Sequence, residues 1–279
     1  KHIANAKTRV FDVSPMEFNM LLRKYFGAFN AAMQARCTDM PVAVGIDFNG
    51  PQAQELYDRL TRLGTDCIAG DFESWDGCLP DELLIRYAHL ANFWYDDEHA
   101  HIRCGLIRAI IHCVLVSLNT VARKHQGLPS GIAVTAPMNS VVNWILQLTA
   151  IIDILESHKK YLTTKEIQEN VELTFWGDDH LVVPGPKIKE WINFMTMKQW
   201  FLKHGFGYTD AEKSGKEFEF EDIHDVLYCK RKFKRDDLGV IVMPTELSVL
   251  NESIQWRRKT IGVSKRTSYE ATMNNYVEA

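Results

Sequence analysis

The sequence predicts an α+β fold in which a small sheet carries helices packed on one face. Its strand-forming stretches, residues 67–71, 174–183 and 226–233, are few and lie far apart in the chain. Long stretches with apolar residues at helical spacing separate them. Because such strands and helices must bury their apolar sides against each other, a layered α+β arrangement follows.

The composition fits an ordinary globular protein. The 279 residues are 46% hydrophobic and 24% charged, with a formal net charge of −4. This balance does not indicate nucleic-acid binding, so any basic patch must be local. The length allows one large domain or two small ones. The chain starts at Lys1 without an initiator methionine, from which we expect a fragment of a longer protein or a cleavage product.

Cysteine usage and hydropathy exclude several classes of protein. The six cysteines form no C-x-x-C pair, which argues against a disulfide framework and favours a reducing compartment. A nearby set of possible zinc ligands matches no common zinc spacing; it comprises His101, Cys104, His112 and Cys113. We find no signal peptide and expect no apolar run long enough to span a bilayer.

Periodicity and breaker residues predict the elements in order. The run Ser14-Pro15-Met16-Glu17 is typical of a helix start, with a cap residue followed by proline at the first helical position. Residues 104–123 are rich in β-branched side chains and are expected to begin as helix and end as strand. The predicted helices cover residues 14–36, 52–63, 80–95, 136–155 and 188–204, and another begins near residue 246. The other predicted elements are an extended segment at 42–47, a loop at 208–215 and a hairpin turn at 236–239.

Acidic residues mark the most informative stretches. Gly177-Asp178-Asp179 lies between two apolar runs, as expected for the tip of a β-hairpin. Two adjacent carboxylates there suit a hard cation such as Mg²⁺, although an ordinary aspartate-rich turn is the alternative. Asp71 ends a predicted strand, and Asp76 follows it, where it either faces the same cleft or only caps the next helix. If the two strands are neighbours, Asp71 and Asp178 converge as a two-metal site requires.

A glycine-rich loop precedes the most apolar helix. Ser130 and Gly131 provide a hydroxyl group and backbone donors in this loop. Thr135 and Asn139 are four residues apart and therefore share one helix face. Buried polar groups need partners, so Asn139 is either a satisfied core amide or part of a site.

In this order, these motifs resemble the RNA-dependent RNA polymerases of positive-strand RNA viruses, most closely those of the picornavirus-like order. Each motif alone is weak, but the ordered set is specific and spans about residues 1–260. The matching motifs are Lys7-Thr8-Arg9, Asp71-x4-Asp76, Ser130-Gly131-x3-Thr135-x3-Asn139-Ser140, Gly177-Asp178-Asp179, Lys213 and Tyr228-Cys229-Lys230-Arg231.

The resemblance implies a right-hand polymerase palm, an antiparallel sheet with helices packed on one face, with partial fingers and a thumb stub. Residues 1–65 would be partial fingers with the fingertip motif. Residues 66–245 would form the palm, with a fingers insertion at about 85–130, and residues 246–279 would begin the thumb. The usual large fingers region before the fingertip motif is missing from this sequence.

The resemblance also implies RNA-templated RNA synthesis by two-metal nucleotidyl transfer, which would replicate a positive-strand viral genome. Asp71 and Asp178 would hold two Mg²⁺ ions, with Mn²⁺ as a substitute, and Asp179 would support them as a further ligand. Lys213 would protonate the pyrophosphate leaving group as general acid.

The remaining motif residues are implied to contact nucleotide and RNA. Asp76 and Asn139, assisted by Thr135, would read the ribose 2′-OH, which separates RNA from DNA precursors. Lys7 and Arg9 would bind the triphosphate, Ser130 and Gly131 would follow the template and nascent pair, and Lys230 and Arg231 would steady the primer backbone.

The implied partners are template and primer RNA, nucleoside triphosphates and other viral replication proteins, with no membrane segment in the chain itself. The implied location is the host cytoplasm at membrane-associated replication complexes. Two alternatives stay open. A reverse transcriptase-like palm shares the metal chemistry but usually carries an aromatic gate where Asp76 and Asn139 offer polar contacts. The truncated piece could instead be a catalytically idle RNA-binding fragment.

Overall fold

The computed structural model describes residues 12–117, 119–213 and 215–255, together with 264 and 266. The described helices are α1 (Met16–Gln34), α2 (Pro51–Leu60), α3 (Trp75–Cys78), α4 (Asp81–Tyr95), α5 (Ala100–Ile111), α6 (Thr135–Ser157), α7 (Thr164–Asn170), α8 (Phe194–Lys203) and α9 (Leu247–Gln255). The described strands are β1 (Asp66–Phe72), β2 (Val114–Ser117), β3 (Thr120–Arg123), β4 (Val171–Trp176), β5 (Asp179–Pro184), β6 (Tyr208–Asp210), β7 (Glu221–Asp222), β8 (Lys234–Arg235) and β9 (Ile241–Val242).

The central sheet is antiparallel and has the strand order β4-β5-β1-β6, with β7 paired to the start of β1. The predicted strand at 67–71 and the predicted hairpin at 174–183 are therefore confirmed as β1 and β4–β5, and they are neighbours. β1 is the inner strand between β5 and β6, so its carboxyl end, where Asp71 lies, meets the tip of the β4–β5 hairpin.

One face of the sheet is covered by α6 and α8. Alternate strand residues such as Ile68, Phe175 and Val182 point into this core and are fully buried. Among the described helices, α6 alone is long and apolar enough to cross a bilayer, which corrects the expectation that no apolar run reaches that length. Because 67% of that apolar window is buried inside the protein, the apolar character of α6 is explained by core packing.

The opposite face is covered by α2 and the segment 223–243. The intervening strand residues, including Cys67, Ala69 and Leu181, form a second buried cluster with them. Strand side chains alternate between faces, so Asp71 and Asp179 project on this second side, where the strands leave the core. The fold class is as predicted, with this second layer added.

Several predicted elements differ from those observed. Residues 208–215 were expected to be a loop, but 208–210 form β6, because they pair with β1. The expected strand at 226–233 is wrong: Tyr228 and Arg231 close a tight turn whose central residues, Cys229 and Lys230, both have left-handed backbones with φ of 53° and 57°. That geometry belongs to a type I′ turn rather than an extended strand.

Three helix predictions also need correction. The helix expected over 188–204 begins only at Phe194, behind a capping box formed by Asn193 and Thr196. The expected cap at Ser14 is absent, since Pro15 occupies the cap position without a side-chain hydrogen bond. α7 was not predicted, and residues 104–123 do pass from helix α5 to the β2–β3 hairpin, as expected.

Candidate active site

The two acidic motifs meet at one end of the sheet. Gly70 pairs with His180 across β1 and β5, so the antiparallel register places Asp71 opposite Asp179. Asp178 precedes them at the tip of the hairpin. The convergence of Asp71 with the Gly-Asp-Asp turn, predicted from the sequence, is confirmed by this register.

The hairpin tip is held from below by α6. Gly177 adopts a left-handed backbone, with φ of 67°, and its N–H donates to Ser140 Oγ at 2.8 Å. Asn143 Nδ2 donates to the carbonyl oxygens of Gly177 at 3.2 Å and Asp178 at 3.0 Å. Both α6 residues are fully buried, so these hydrogen bonds fix the turn in a site shielded from water.

His180 ties the tip to β6 on the other side. Its Nδ1 donates to the Asp178 carbonyl oxygen at 2.8 Å, which leaves Nε2 to accept from the Tyr208 hydroxyl at 2.7 Å. Burial lowers the pKa of His180 to about 4, so the ring is neutral at physiological pH, as this tautomer requires. Gly70 makes the contact possible, since a Cβ there would lie 2.1 Å from the Tyr208 ring.

Negative charge accumulates at this end of the sheet. Desolvation, followed by the neighbouring carboxylates of Asp178 and Asp71, raises the pKa of Asp179 to about 6. Lys230 and a hydrogen bond from Cys229 oppose that rise. The Tyr228–Arg231 turn, which carries these two residues, therefore lies against the acidic cluster. The Asp179 residue as a whole is exposed.

Lys213 reaches the same cluster from the loop after β6. Its Nζ lies 2.8 Å from Asp71 Oδ2, and its side chain is 66% exposed. Its backbone is left-handed, with φ of 56°, and its N–H donates to the Asp210 carbonyl at 2.9 Å. The predicted general acid thus lies in the site, paired with a predicted metal ligand.

The predicted ribose sensors lie together in a second cluster. Asn139 Nδ2 donates to Asp76 Oδ1 at 3.1 Å, and Trp75 Nε1 donates to Asn139 Oδ1 at the same distance. Asp76 is exposed, whereas Asn139 and Trp75 are buried. Both alternatives raised for Asn139 hold in part, because it is a satisfied buried amide whose partner is an exposed carboxylate.

The glycine-rich loop is packed against α3 and the start of the described chain. Gly131 leaves no room for a side chain, since a Cβ would lie 2.1 Å from the Asp12 carbonyl oxygen. Thr135 Oγ1 lies within hydrogen-bond distance of the carbonyls of Pro129, Ser130 and Ile132. Thr135 therefore shapes its own loop, and Ser130 is exposed.

The remaining predicted residues divide into two groups. Arg231 Nη1 donates to the Met243 carbonyl at 2.6 Å and to Asn49 Oδ1 at 3.1 Å, so its guanidinium is engaged within the protein. Lys230 is exposed beside Asp179. Lys7 and Arg9 lie outside the described residues, and their predicted roles stay predictions.

The donor set suits a divalent cation in chemistry and charge. Carboxylate oxygens are the ligands that Mg²⁺ prefers. Desolvation and then carboxylate repulsion raise the pKa of Asp179, and a bound cation would relieve that repulsion. Within the described part of the chain, no group of three or more such side chains is already gathered around one point. Lys213 provides the positive charge beside Asp71 in this arrangement.

Comparisons with known proteins show the family of the chain. The sequence profile of the viral RNA-dependent RNA polymerase family matches residues 1–277. The chain belongs to this family. This member of the family also resembles the replicase polyproteins of acute bee paralysis virus, at 29% identity over 94% of the chain, and of Drosophila C virus, at 29% over 91%. The genome polyprotein of rice tungro spherical virus is 28% identical over 90% of the chain.

A solved structure shows the same fold. The Sicinivirus 3Dpol RNA-dependent RNA polymerase superposes on 98% of this chain with a TM-score of 0.79 and 19% sequence identity. The chain spans only 57% of that protein's length. It also spans 14% of the acute bee paralysis virus polyprotein, 15% of the Drosophila C virus polyprotein and 8% of the rice tungro spherical virus polyprotein.

Sequence reasoning missed the roles of the residues that support the site, although Ser140 was part of a quoted motif. Ser140 and Asn143 belong to the polar face of an apolar helix that also carries Asn139, and this pattern was the available signal. His180 and Tyr208 gave no local signal, because their role depends on β6 pairing with β1.

Proposed function

We propose that this chain is the catalytic centre of a polymerase that copies RNA from an RNA template by two-metal nucleotidyl transfer. The observation that carries the proposal is the meeting of Asp71 with the Gly177–Asp179 tip at one sheet end, in a chain of this family. Viral polymerases of this family use divalent metal ions, and Asp71 and Asp178 would hold two Mg²⁺ ions, or Mn²⁺, with Asp179 in support.

When bound, the ions would lower the pKa of an attacking hydroxyl group and neutralise the triphosphate. The side chains of the chain itself would supply the proton and hold the geometry of the site. Asp71 leaves its ion pair with Lys213, and the exposed Lys213 side chain turns to the leaving group and donates a proton. The hairpin tip stays fixed during this step, because Ser140, Asn143 and His180 hold its backbone.

Ribose selection would follow from the Asn139–Asp76 pair. Asn139 Nδ2 carries two hydrogens, one of which goes to Asp76, so the other is available to the 2′ oxygen. A carboxylate only accepts hydrogen bonds, so Asp76 would accept one from the ribose 2′-OH. A deoxyribose offers neither contact, so the second Asn139 hydrogen and the Asp76 carboxylate would each lack their hydrogen bond to the sugar.

The other residues would position nucleotide and RNA. Lys7 and Arg9 would contact the triphosphate, and Ser130 and Gly131, shaped by Thr135, would follow the template and nascent pair. Lys230 would contact the primer backbone, while Arg231 would support that turn from within. We also propose fingers at 1–65, a palm at 66–245 and a thumb start at 246–279, acting with other viral proteins at membrane-associated complexes in the host cytoplasm.

The test is template-directed RNA synthesis by the purified polymerase that contains this chain. We expect incorporation of labelled ribonucleotides on a primed RNA template to need Mg²⁺ and to favour ribonucleotides by about 100-fold or more. Asp178→Asn should lower kcat by about 1,000-fold, because it removes a metal ligand. Asp66→Asn is the matched control, since Asp66 lies at the other end of β1, where it pairs with Lys189.

Other outcomes would contradict the proposal. Preferred incorporation of deoxyribonucleotides would favour the reverse transcriptase-like alternative. Binding of RNA without synthesis, unchanged by Asp178→Asn, would favour an idle RNA-binding fragment. An equal loss in Asp66→Asn and Asp178→Asn would mean that the effect comes from folding and not from the acidic end of the sheet.

A further inference from the structure

Trp75 lies in the core behind Asp76 and donates a hydrogen bond to Asn139. The residue follows Ser74, whose left-handed backbone, with φ of 53°, turns the chain sharply after β1. As a result Trp75 points into the core and is only 3% exposed, while the adjacent Asp76 is exposed. Two consecutive residues thus provide a buried donor and a carboxylate at the surface.

The hydrogen-bond chemistry of this cluster leaves Asn139 a single orientation. An indole N–H can only donate, so the atom facing Trp75 Nε1 must be the Asn139 oxygen. A carboxylate can only accept, so the atom facing Asp76 must be the Asn139 nitrogen. Flipping the amide would set oxygen against carboxylate and N–H against N–H, and neither hydrogen bond could form.

The indole itself is held in place by its surroundings. Its ring centroid lies 4.6 Å from that of Phe72, which in turn packs on the rings of His180 and Tyr208. The Leu128 N–H donates to the Asp76 carbonyl at 2.7 Å, and Gly127 packs so closely that a Cβ would lie 2.3 Å from the same oxygen. The donor that orients Asn139 is therefore rigid on both sides.

We propose that Trp75 is a positioning residue for ribose specificity, which fixes the side-chain amide of Asn139 with its nitrogen toward Asp76 and the sugar. This inference rests on the proposed function of the site as an RNA polymerase. It assigns the discrimination between ribose and deoxyribose to three side chains instead of two. Without the indole N–H, only the hydrogen bond to the exposed Asp76 would still orient the amide, so the flipped orientation, which presents an acceptor to Asp76, would be populated more often.

The direct test compares Trp75→Phe with the unaltered polymerase. We expect kcat/KM for ribonucleotides to fall about tenfold, the value of one lost buried hydrogen bond, and kcat/KM for deoxyribonucleotides to stay within about twofold. The ratio should therefore fall about tenfold. A general loss of structure would lower both values equally and would overturn the proposal. Trp94→Phe, at a half-exposed tryptophan on α4, is the matched control and should leave the ratio unchanged.

Two further variants separate positioning from packing. In an Asn139→Ala background, Trp75→Phe should not change the ratio further, because the indole acts only through Asn139. Replacing Trp75 by benzothienylalanine keeps the ring shape and exchanges the N–H for sulfur, and it should lower the ratio about tenfold even if the smaller phenylalanine is not tolerated. An unchanged ratio in the folded benzothienyl variant would overturn the proposal.

A readout that needs no activity keeps this inference distinct from the proposed function. In the NMR spectrum of the folded polymerase, Asn139 should give one sharp pair of side-chain amide signals, which broaden or double in Trp75→Phe. If the polymerase synthesises no RNA, the proposed function fails, and this spectrum still tests the orientation. Sharp, unchanged Asn139 signals in the variant would overturn the positioning role.

Discussion

The hairpin tip and the Lys213 loop face each other across the candidate active site but are held very differently. The tip donates a hydrogen bond to Ser140 and accepts hydrogen bonds from Asn143 and His180, and all three of these side chains are buried. The Lys213 side chain is 66% exposed and meets Asp71 through an ion pair at the surface. Exposed ion pairs contribute about 0–1 kcal/mol, whereas a buried carbonyl left unpaired costs about 1–3 kcal/mol.

The difference separates two tasks within one site. Metal ligands must keep their geometry within a fraction of an ångström, and the tip has the buried supports for that purpose. A proton donor must reach its leaving group only when substrate is bound, and an exposed lysine on a loop can move. We infer that the hairpin tip is preorganised and that the Lys213 loop moves.

The largest expected effect comes from a substitution at Gly70 that disrupts the support of the hairpin tip. In Gly70→Ala, the new Cβ would lie 2.1 Å from the Tyr208 ring, which is buried and bonded to His180. We expect a loss of about 3 kcal/mol in the free energy of unfolding, from overpacking and the lost His180 support. Chemical denaturation measures it. Gly105→Ala, at an exposed position of α5 with open space, should stabilise by about 0.5–1 kcal/mol, and equal effects would contradict this account.

The next effect removes the support from α6. Asn143→Ala leaves the Gly177 carbonyl without its side-chain donor and should cost about 2 kcal/mol. Mn²⁺ affinity, measured by calorimetry, should also fall, because the tip loses its fixed geometry. Thr149→Ala on the exposed side of the same helix removes only a local hydrogen bond to Ile145, and it should change neither quantity. Unchanged Mn²⁺ affinity in Asn143→Ala would mean that the tip does not depend on this contact.

A smaller effect tests the negative charge that gathers around Asp179 at the hairpin tip. The pKa of Asp179 is raised from 3.8 to about 6, so between these values the folded protein holds more protons than the unfolded chain. The free energy of unfolding should therefore fall as pH rises from about 4 to 6, by about 1 kcal/mol after solvent screening. Asp179→Asn should remove this fall. A variant whose profile still shows it would assign the titration to another group.

The smallest effect concerns Lys213, in the loop that we infer to move. Lys213→Gln should change the free energy of unfolding by less than about 0.5 kcal/mol, because the lost ion pair is exposed. It should raise Mn²⁺ affinity up to about fivefold, since the ammonium group no longer competes with the cation for Asp71. Lys216→Gln, at an exposed lysine of the same loop, is the control. A fall in affinity would show that Lys213 helps to build the metal site.

The sequence predicted the elements with local signals. The apolar runs on both sides of Gly177 predicted the β4–β5 hairpin, and the strand before Asp71 predicted where its carboxylate emerges. It could not predict β6, whose three residues become a strand only through pairing with β1. The composition of 226–233 favoured a strand, but long-range packing holds Cys229 and Lys230 in a left-handed turn. The orientation of Asn139 was likewise invisible, because Trp75 reaches it only in the folded chain.

The most direct test of the central claim is an anomalous-difference map from crystals of the polymerase soaked with Mn²⁺. We predict density for the cation between the carboxylates of Asp71 and Asp178, near Asp179, with Lys213 displaced from its ion pair. Density elsewhere, or none here at saturating Mn²⁺ with the Lys213–Asp71 pair intact, would contradict the claim that these two motifs form one metal site.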